Sequence, residues 1–134
     1  MTEAIEVSTL LPVTPQRLYE AWLDGDEHGK FSGGIAEVDP RVGGRYSAWD
    51  GYITGVTLEL QPPRRILQSW RTSDFPPGSP DSRLEVLMKE EADGTRLTLR
   101  HTDIPDGQGE DYRQGWLDYY FEPMMAYFSE EVGG

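Results

Sequence analysis

The chain has 134 residues, 37% hydrophobic and 27% charged, a length and composition typical of one folded domain, so we expect a single domain over residues 1–134. A formal net charge of -12 at pH 7 argues against nucleic acid and anionic lipid surfaces as partners, and the absence of cysteine excludes disulfides and thiolate chemistry. The N-terminal segment MTEAIEVSTL lacks the pattern of a signal peptide, and no stretch is long and apolar enough to span a membrane. We therefore expect a cytoplasmic protein without membrane insertion.

The first part of the chain predicts one strand and two short helices. Apolar and polar residues alternate from Ile5 to Leu11 with the two-residue period of a strand. Thr14 and Pro15 are typical of a helix start, because the threonine oxygen can accept a hydrogen bond from the first turn and proline has its φ already fixed. The polar segment from His28 to Gly34 predicts a second short helix.

Short apolar runs separated by turn residues follow, and they predict an antiparallel meander. Asp50-Gly51, between Trp49 and Tyr52, is a strong signal for a two-residue hairpin turn. The spacing leaves no room for crossover helices, so a parallel sheet is disfavoured. The predicted strands are IAEV, RYSAW, YITGVTLEL, RRILQSWR, SRLEVLMKE and TRLTLRHT.

The segment GWLDYYFEPMMAYF, from Gly115 to Phe128, predicts an amphipathic C-terminal helix. Asp118 and Glu122 lie opposite its apolar arc and exclude a membrane span. Pro123 removes a backbone hydrogen bond and predicts a bend in the helix. A curved sheet wrapped around this helix would bury the arc, and the bend could leave part of the interior unfilled. The arc comprises Trp116, Leu117, Tyr120, Phe121, Met124, Tyr127 and Phe128.

Four groups of residues together resemble one known family. They are WDGYITG, IxxxWR with the following DFPPG, LTLRHTDIP, and RQGWLDYYFEPMMAYF. They are similar to the C-terminal domain of the activator of the Hsp90 chaperone ATPase, a member of the START-like, SRPBCC or helix-grip superfamily. The resemblance implies an α+β helix-grip fold: a curved antiparallel sheet of six to seven strands wrapped around a long C-terminal helix, with two short helices after the first strand.

The resemblance also implies candidate functions. Members of the superfamily hold lipids, polyketides or other apolar molecules between the sheet and the last helix, and some are cyclases. No fixed catalytic motif accompanies the fold, so no catalytic residue is transferred to this chain. Three functions follow: non-enzymatic binding of a small apolar, aromatic or lipid-like ligand; a co-chaperone that binds and stimulates a heat-shock chaperone ATPase; and, third, an enzyme similar to a polyketide cyclase.

Seven residues are predicted to line a ligand cavity. Trp70 shares a strand face with Ile66 and Gln68, and a buried Gln68 amide is costly unless it is hydrogen-bonded, either to a ligand or, alternatively, to local backbone or Tyr120. His101 is either a ligand contact or a hydrogen-bonded structural histidine near the sheet edge. The aromatic helix residues could equally be plain core. The predicted lining residues are Tyr46, Gln68, Trp70, His101, Trp116, Tyr120 and Met124.

Glu59 is the remaining polar candidate for the cavity. The family pattern places Tyr46, Ala48 and Ile53 inside, which brings Glu59 toward the interior, where desolvation would raise its pKa. Glu59 with His101 could then perform acid-base chemistry, whereas a solvated or salt-bridged Glu59 is the alternative. Neither histidine has neighbours at metal-ligand spacing, so we predict no metal, no cofactor and no catalytic residue.

Overall fold

The structure is a computed structural model that describes residues 2–133. One strand and two helices are followed by six strands and a C-terminal helical region. The strands are β1 (Thr2–Leu11), β2 (Glu37–Val38), β3 (Arg45–Ala48), β4 (Ile53–Gln61), β5 (Arg65–Thr72), β6 (Ser82–Glu91) and β7 (Gly94–Pro105). The helices are α1 (Pro15–Leu23), α2 (Gly25–Ser32), α3 (Gly109–Trp116) and α4 (Glu122–Gly133), with a π-helical segment (Leu117–Phe121) between the last two.

All seven strands form one antiparallel sheet in the order β1-β7-β6-β5-β4-β3-β2. Strands β2 to β7 form a meander in chain order. The last strand, β7, also pairs with β1 and so places the first strand at the other edge of the sheet. The curved sheet wraps the C-terminal helical region, and the two short helices follow β1. The predicted helix-grip fold is therefore confirmed, with seven strands.

Alternate residues of the central strands form the inner face of the sheet. Ile66, Val86 and Leu99 have no exposed surface, and they pack beneath the helices. Tyr46 and Ile53 also face inward, with 7% and 5% of their surface exposed, so the predicted interior face of the β3–β4 hairpin is confirmed. Because side chains on a strand alternate between faces, this burial fixes the register of the sheet.

A ladder of ion pairs covers the outer face. Arg65 pairs with Glu59 at 2.9 Å and with Glu85 at 2.5 Å, and Arg100 pairs with Glu6 at 2.8 Å and with Glu85 at 3.7 Å. These side chains come from five neighbouring strands. The outer face is thus polar and solvated, whereas the inner face carries the core.

The expectation that Glu59 faces the interior is wrong. The pairing of β4 with β5 shifts between Thr57 and Glu59, so Leu58 is an extra residue in a β-bulge. Thr57 therefore points inward with no exposed surface, and the Glu59 side chain is 54% exposed beside Arg65. The bulge reverses the alternation on which the expectation depended.

Short polar signals set the bounds of α1 and α2. The Thr14 hydroxyl accepts a hydrogen bond from the Arg17 amide at the start of α1. Asp24 follows the last residue of α1, and its carboxylate accepts from the Glu27 amide at the start of α2. Gly33 ends α2 in the left-handed conformation with φ of 93°. Of the helices in residues 2–133, none has the length and apolar character needed to cross a membrane.

The C-terminal helical region changes its winding immediately before Pro123. The Glu122 amide bonds to the Leu117 carbonyl, five residues back, which is π-helical geometry. Proline has no amide hydrogen, and in an α-helix its ring would collide with the Tyr119 carbonyl, so the preceding turn widens. The irregularity expected at Pro123 is therefore a π segment in the middle of the region.

Candidate functional site

A cavity of about 340 Å³ lies between the β3–β4 turn, β5 and the start of the C-terminal helical region. Seven of its ten lining residues are aromatic. We call it the aromatic cavity; it is lined by Trp49, Tyr52, Ile53, Trp70, Asp111, Tyr112, Gly115, Trp116, Tyr119 and Tyr120. Of the seven residues predicted to contact a ligand, Trp70, Trp116 and Tyr120 are among them.

The β3–β4 turn places two of these aromatic residues at the entrance. The Tyr52 amide bonds to the Trp49 carbonyl at 3.1 Å, and the central residues Asp50 and Gly51 have φ of 59° and 90°. The predicted hairpin turn is thus confirmed. The Asp50 amide donates to the Ile35 carbonyl at 3.0 Å, and the Asp50 carboxylate accepts from the Ile35 amide at 3.1 Å. These two bonds hold the turn, and with it Trp49 and Tyr52, in position.

His101 lies directly behind the cavity wall in a fully hydrogen-bonded chain. The Trp116 indole donates to His101 Nδ1 at 3.2 Å, so Nε2 carries the hydrogen and donates to Ser82 Oγ at 2.8 Å. The Ser82 hydroxyl donates in turn to the Trp70 carbonyl at 2.7 Å. Burial lowers the pKa of His101 to about 3, which keeps the ring neutral. Both ring nitrogens are occupied, so His101 positions Trp116.

His28 forms a second buried chain on the other side of Tyr120. His28 Nδ1 donates to the Trp22 carbonyl at 3.0 Å, and Nε2 accepts from the Tyr120 hydroxyl at 2.7 Å. Burial lowers the pKa of His28 to about 4 and raises the pKa of Tyr120. From the sequence, His28 was predicted only to lie in a polar segment. Its spacing of three residues from the buried Phe31 is the signal that both share one face of α2.

Four predicted contact residues lie outside the cavity lining. Gln68 accepts from the Trp22 indole at 3.3 Å and donates to Thr57 Oγ1 at 3.2 Å; backbone or Tyr120 were the partners expected. The Tyr46 hydroxyl donates to the Ser69 carbonyl at 2.6 Å, and Met124 is fully buried in the core. His101 is the fourth. Ligand contact by any of the seven residues stays a prediction.

Several lining residues were not singled out in the sequence. Tyr112, Gly115 and Tyr119 follow one another at spacings of three and four residues, and with the predicted Trp116 they form a helical stripe that continues the predicted arc toward the N-terminal end. Tyr119, in the π segment, contacts Trp49 of the hairpin turn with ring centroids 5.6 Å apart. Trp49 and Tyr52 belong to the turn itself, where strand alternation gives no guidance.

The cavity is chemically suited to non-covalent binding. Asp111 is the only Asp, Glu, Lys, Arg or His among the ten lining residues. Both histidines are buried, neutral and held by two partners each. Within residues 2–133 no group of three or more His, Asp or Glu side chains is arranged to hold a metal ion. The arrangement offers aromatic surface and a single carboxylate.

Several known proteins are similar to this chain over most of its length. The mouse protein "Activator of 90 kDa heat shock protein ATPase homolog 1" is 28% identical over 115 residues, which are 86% of this chain and 34% of that protein. A Dictyostelium discoideum activator homolog is 25% identical over 131 residues, 96% of this chain and 33% of that protein. The chain thus spans about a third of the length of the curated relatives it matches.

Solved structures show the same fold. The crystal structure of an HSP90 activator from Plasmodium falciparum has a TM-score of 0.84 and 27% identity, covering 94% of this chain and 96% of that one. CalU16 from Micromonospora echinospora has a TM-score of 0.74 and 27% identity, covering 98% and 84%. A family model described as "Activator of Hsp90 ATPase homolog 1-like protein" matches residues 12–129. The match covers most of the chain, including every residue that lines the aromatic cavity. The chain therefore belongs to the Activator of Hsp90 ATPase homolog 1-like family.

Proposed function

We propose that this protein binds a small apolar or aromatic molecule, without catalysis, in the aromatic cavity between the sheet and the C-terminal helical region. The observation that carries the proposal is an open space of about 340 Å³ walled by seven aromatic side chains. This volume lies within the range of ~300 to 1,000 Å³ that small-molecule sites occupy.

The surroundings of the cavity support a preformed site. Trp70 is 4% exposed and Trp116 is 3% exposed, and the hydrogen-bonded chain through His101 holds both. Tyr119, at the entrance, is 60% exposed. A rigid inner wall with a more open entrance lets a ligand enter without opening the sheet. Because the wall is already ordered, the entropic cost of fixing its side chains on binding is small.

Gly115 offers a direct way to fill the cavity without disturbing the fold. A Cβ added at Gly115 would meet only the Tyr119 ring, at 3.9 Å, which is ordinary contact. We therefore expect Gly115→Leu to fold normally and to occupy the cavity. Gln114→Leu is the matched control, because it adds the same side chain to the exposed neighbouring position of α3.

The test follows the tryptophan indole N–H signals by NMR during titration with indole and 2-naphthol. We expect the signals of Trp49 and Trp70 to shift, and Trp22, which lies outside the cavity, to stay unchanged. Gly115→Leu should abolish the shifts and Gln114→Leu should retain them. If millimolar probes leave all four indole signals unmoved, or if Gly115→Leu responds like the wild type, the proposal is wrong.

A second candidate function is stimulation of a heat-shock chaperone ATPase. It is favoured by the Plasmodium falciparum structure, which this chain covers to 96% and whose title describes an HSP90 activator. The test measures ATP hydrolysis by a purified Hsp90 with increasing amounts of this protein. A dose-dependent increase supports the function, and an unchanged rate contradicts it. A cyclase is not proposed, because the cavity lacks a paired acid and base.

A further inference from the structure

The rings of the aromatic cavity meet at steep angles. Trp49 and Tyr119 cross at 70° with centroids 5.6 Å apart, and Trp70 and Tyr112 cross at 79° and 4.9 Å. Trp116 and Tyr120 cross at 61° and 4.8 Å. Rings in such different planes cannot all stack on one flat guest. They present ring faces and edges to the cavity from several directions.

The charges at the cavity have one sign. Asp111 is the only charged residue that lines it, and of the described lining residues none is Lys, Arg or His. Asp74 lies at the same entrance, where its carboxylate accepts the Tyr52 hydroxyl at 2.6 Å. The whole chain carries a formal net charge of -12, which raises the local concentration of cations and lowers that of anions.

Four of the seven aromatic side chains of the wall already donate their polar hydrogen within the protein. The Tyr52 hydroxyl donates to Asp74, the Tyr112 hydroxyl donates to Gln108 at 2.7 Å, and the Tyr120 hydroxyl donates to His28 at 2.7 Å. The Trp116 indole N–H donates to His101. A carboxylate, sulfate or phosphate group would find few free donors at this wall, whereas a cation needs none.

We infer that the aromatic cavity selects a ligand with an alkylated ammonium group on an apolar or aromatic body. The inference rests on the proposed binding function and narrows its ligand class. The negative faces of tryptophan and tyrosine rings attract an ammonium group within ~6 Å of the ring centroid, most strongly for tryptophan. A trimethylammonium head has no preferred plane and can meet rings from several directions, and Asp111 adds the opposite charge.

The experiment compares two probes of the same shape, phenyltrimethylammonium and its neutral isostere tert-butylbenzene. Indole N–H shifts give the dissociation constant of each at submillimolar concentrations. We expect the cation to bind about tenfold more tightly, the ratio that a desolvated cation–π contact supplies. Asp111→Asn should weaken the cation about threefold and leave the neutral probe unchanged, as removal of a partly exposed charge partner predicts.

Glu110→Gln is the matched control for Asp111→Asn. Both carboxylates lie in the first turn of α3, so both substitutions remove the same favourable charge from the helix N-terminus, yet only Asp111 lines the cavity. Glu110→Gln should change neither affinity. Gly115→Leu should abolish binding of both probes.

The outcomes separate the two proposals. Equal affinity for the two probes overturns the selection of a cation and leaves the proposed binding function standing. If Gly115→Leu still binds the cation, the binding is due to general attraction by the acidic surface. That result also overturns the inference. If none of the four probes (the cation, its neutral isostere, indole and 2-naphthol) shifts the indole N–H signals of the wild type, the binding function itself is contradicted.

Discussion

The two ends of the C-terminal helical region are built from the same residue types with opposite results. At the closed end, which we define by Phe31, Trp22, His28, Tyr120 and Phe128, the Phe31 ring lies 4.8 to 6.3 Å from the other four rings and has no exposed surface. At the open end, defined by the aromatic cavity, comparable rings surround an empty space. Aromatic content alone therefore does not decide between core and cavity.

The difference lies in what covers each end. Helix α2 lies over the closed end and inserts Phe31 and His28 between α1 and the helical region. The four-residue turn from Trp49 to Tyr52 lines the open end, and the loop after β5 lies beside it at Asp74. A helix supplies a continuous face of side chains, and a turn supplies two rings, so the space is closed in one place and left open in the other.

The largest effect is expected from Phe31→Ala at the closed end. Removing this fully buried ring should lower the free energy of unfolding by about 3 to 5 kcal/mol, because a cavity remains among four rigid rings. Tyr119→Ala at the open end, where the side chain is 60% exposed, should cost about 1 kcal/mol or less. Guanidinium chloride unfolding measures both, and similar losses would show that the two ends do not differ in packing.

The next largest effect is a loss of stability in acid. The pKa values of His28 and His101 in the folded state are about 4 and about 3, below the usual value of ~6.5 in an unfolded chain. The unfolded state therefore binds more protons below about pH 6.5, and stability falls as the pH decreases. Between pH 8 and pH 5 we expect a loss of about 2 kcal/mol for each histidine.

His28→Gln separates the two histidines in that experiment. The variant removes the titrating group at the closed end, so its stability should fall by about 2 kcal/mol between pH 8 and pH 5, where the wild type falls by about 4 kcal/mol. Its remaining loss reports His101, behind the open end. A variant whose stability is independent of pH over this range would mean that His101 is hydrated through the cavity and not desolvated.

A gain in stability is expected from Gly115→Ala at the open end. Glycine costs a helix about 1 kcal/mol relative to alanine, and the added methyl group meets only the Tyr119 ring. The free energy of unfolding should rise by about 1 kcal/mol while affinity for aromatic probes falls. Denaturant unfolding and the indole titration check the two effects. A loss of stability would mean that the Gly115 backbone is not free to accept a side chain.

The smallest effect is expected from Arg17→Met. Arg17 pairs with Glu27 of α2 and Glu131 of α4, both at 2.6 Å, so it connects the helices of the closed end. Its side chain is 31% exposed, and such pairs contribute about 0.5 kcal/mol. Unfolding at low and high salt measures this. A loss above about 2 kcal/mol would mean that ion pairs, and not the buried rings, hold the closed end together.

Local patterns were sufficient to predict most of the fold. The turn at Asp50-Gly51 and the helix start at Thr14-Pro15 each depend on neighbours in sequence, and the structure confirms both. The interior face at Tyr46 and Ile53 came from the family resemblance, because strand alternation alone left both faces of the hairpin open, and the structure confirms it. The predicted inward orientation of the Glu59 side chain was wrong because a one-residue bulge at Leu58 reverses the faces of β4. Nothing in the single sequence marks the residue at which pairing slips.

The cavity was harder to locate than the fold. Trp70, Trp116 and Tyr120 were found because they face the interior, but Gln68 and Met124 face it too and lie in filled regions. Whether an inward side chain meets a partner or a space depends on which distant element covers it. His28, brought to Tyr120 from 92 residues away, shows how such long-range contacts escape periodicity.

The π turn before Pro123 makes the number of residues in the C-terminal helical region a determinant of the cavity. A π turn holds about one residue more than an α turn, and each residue of an α-helix advances by ~100°. Deleting one residue within Leu117–Phe121 would restore regular winding and change the angular phase between α3 and α4 by that amount. The stripe of rings would then point away from the hairpin, so we expect a single deletion to remove the aromatic cavity without altering any remaining side chain.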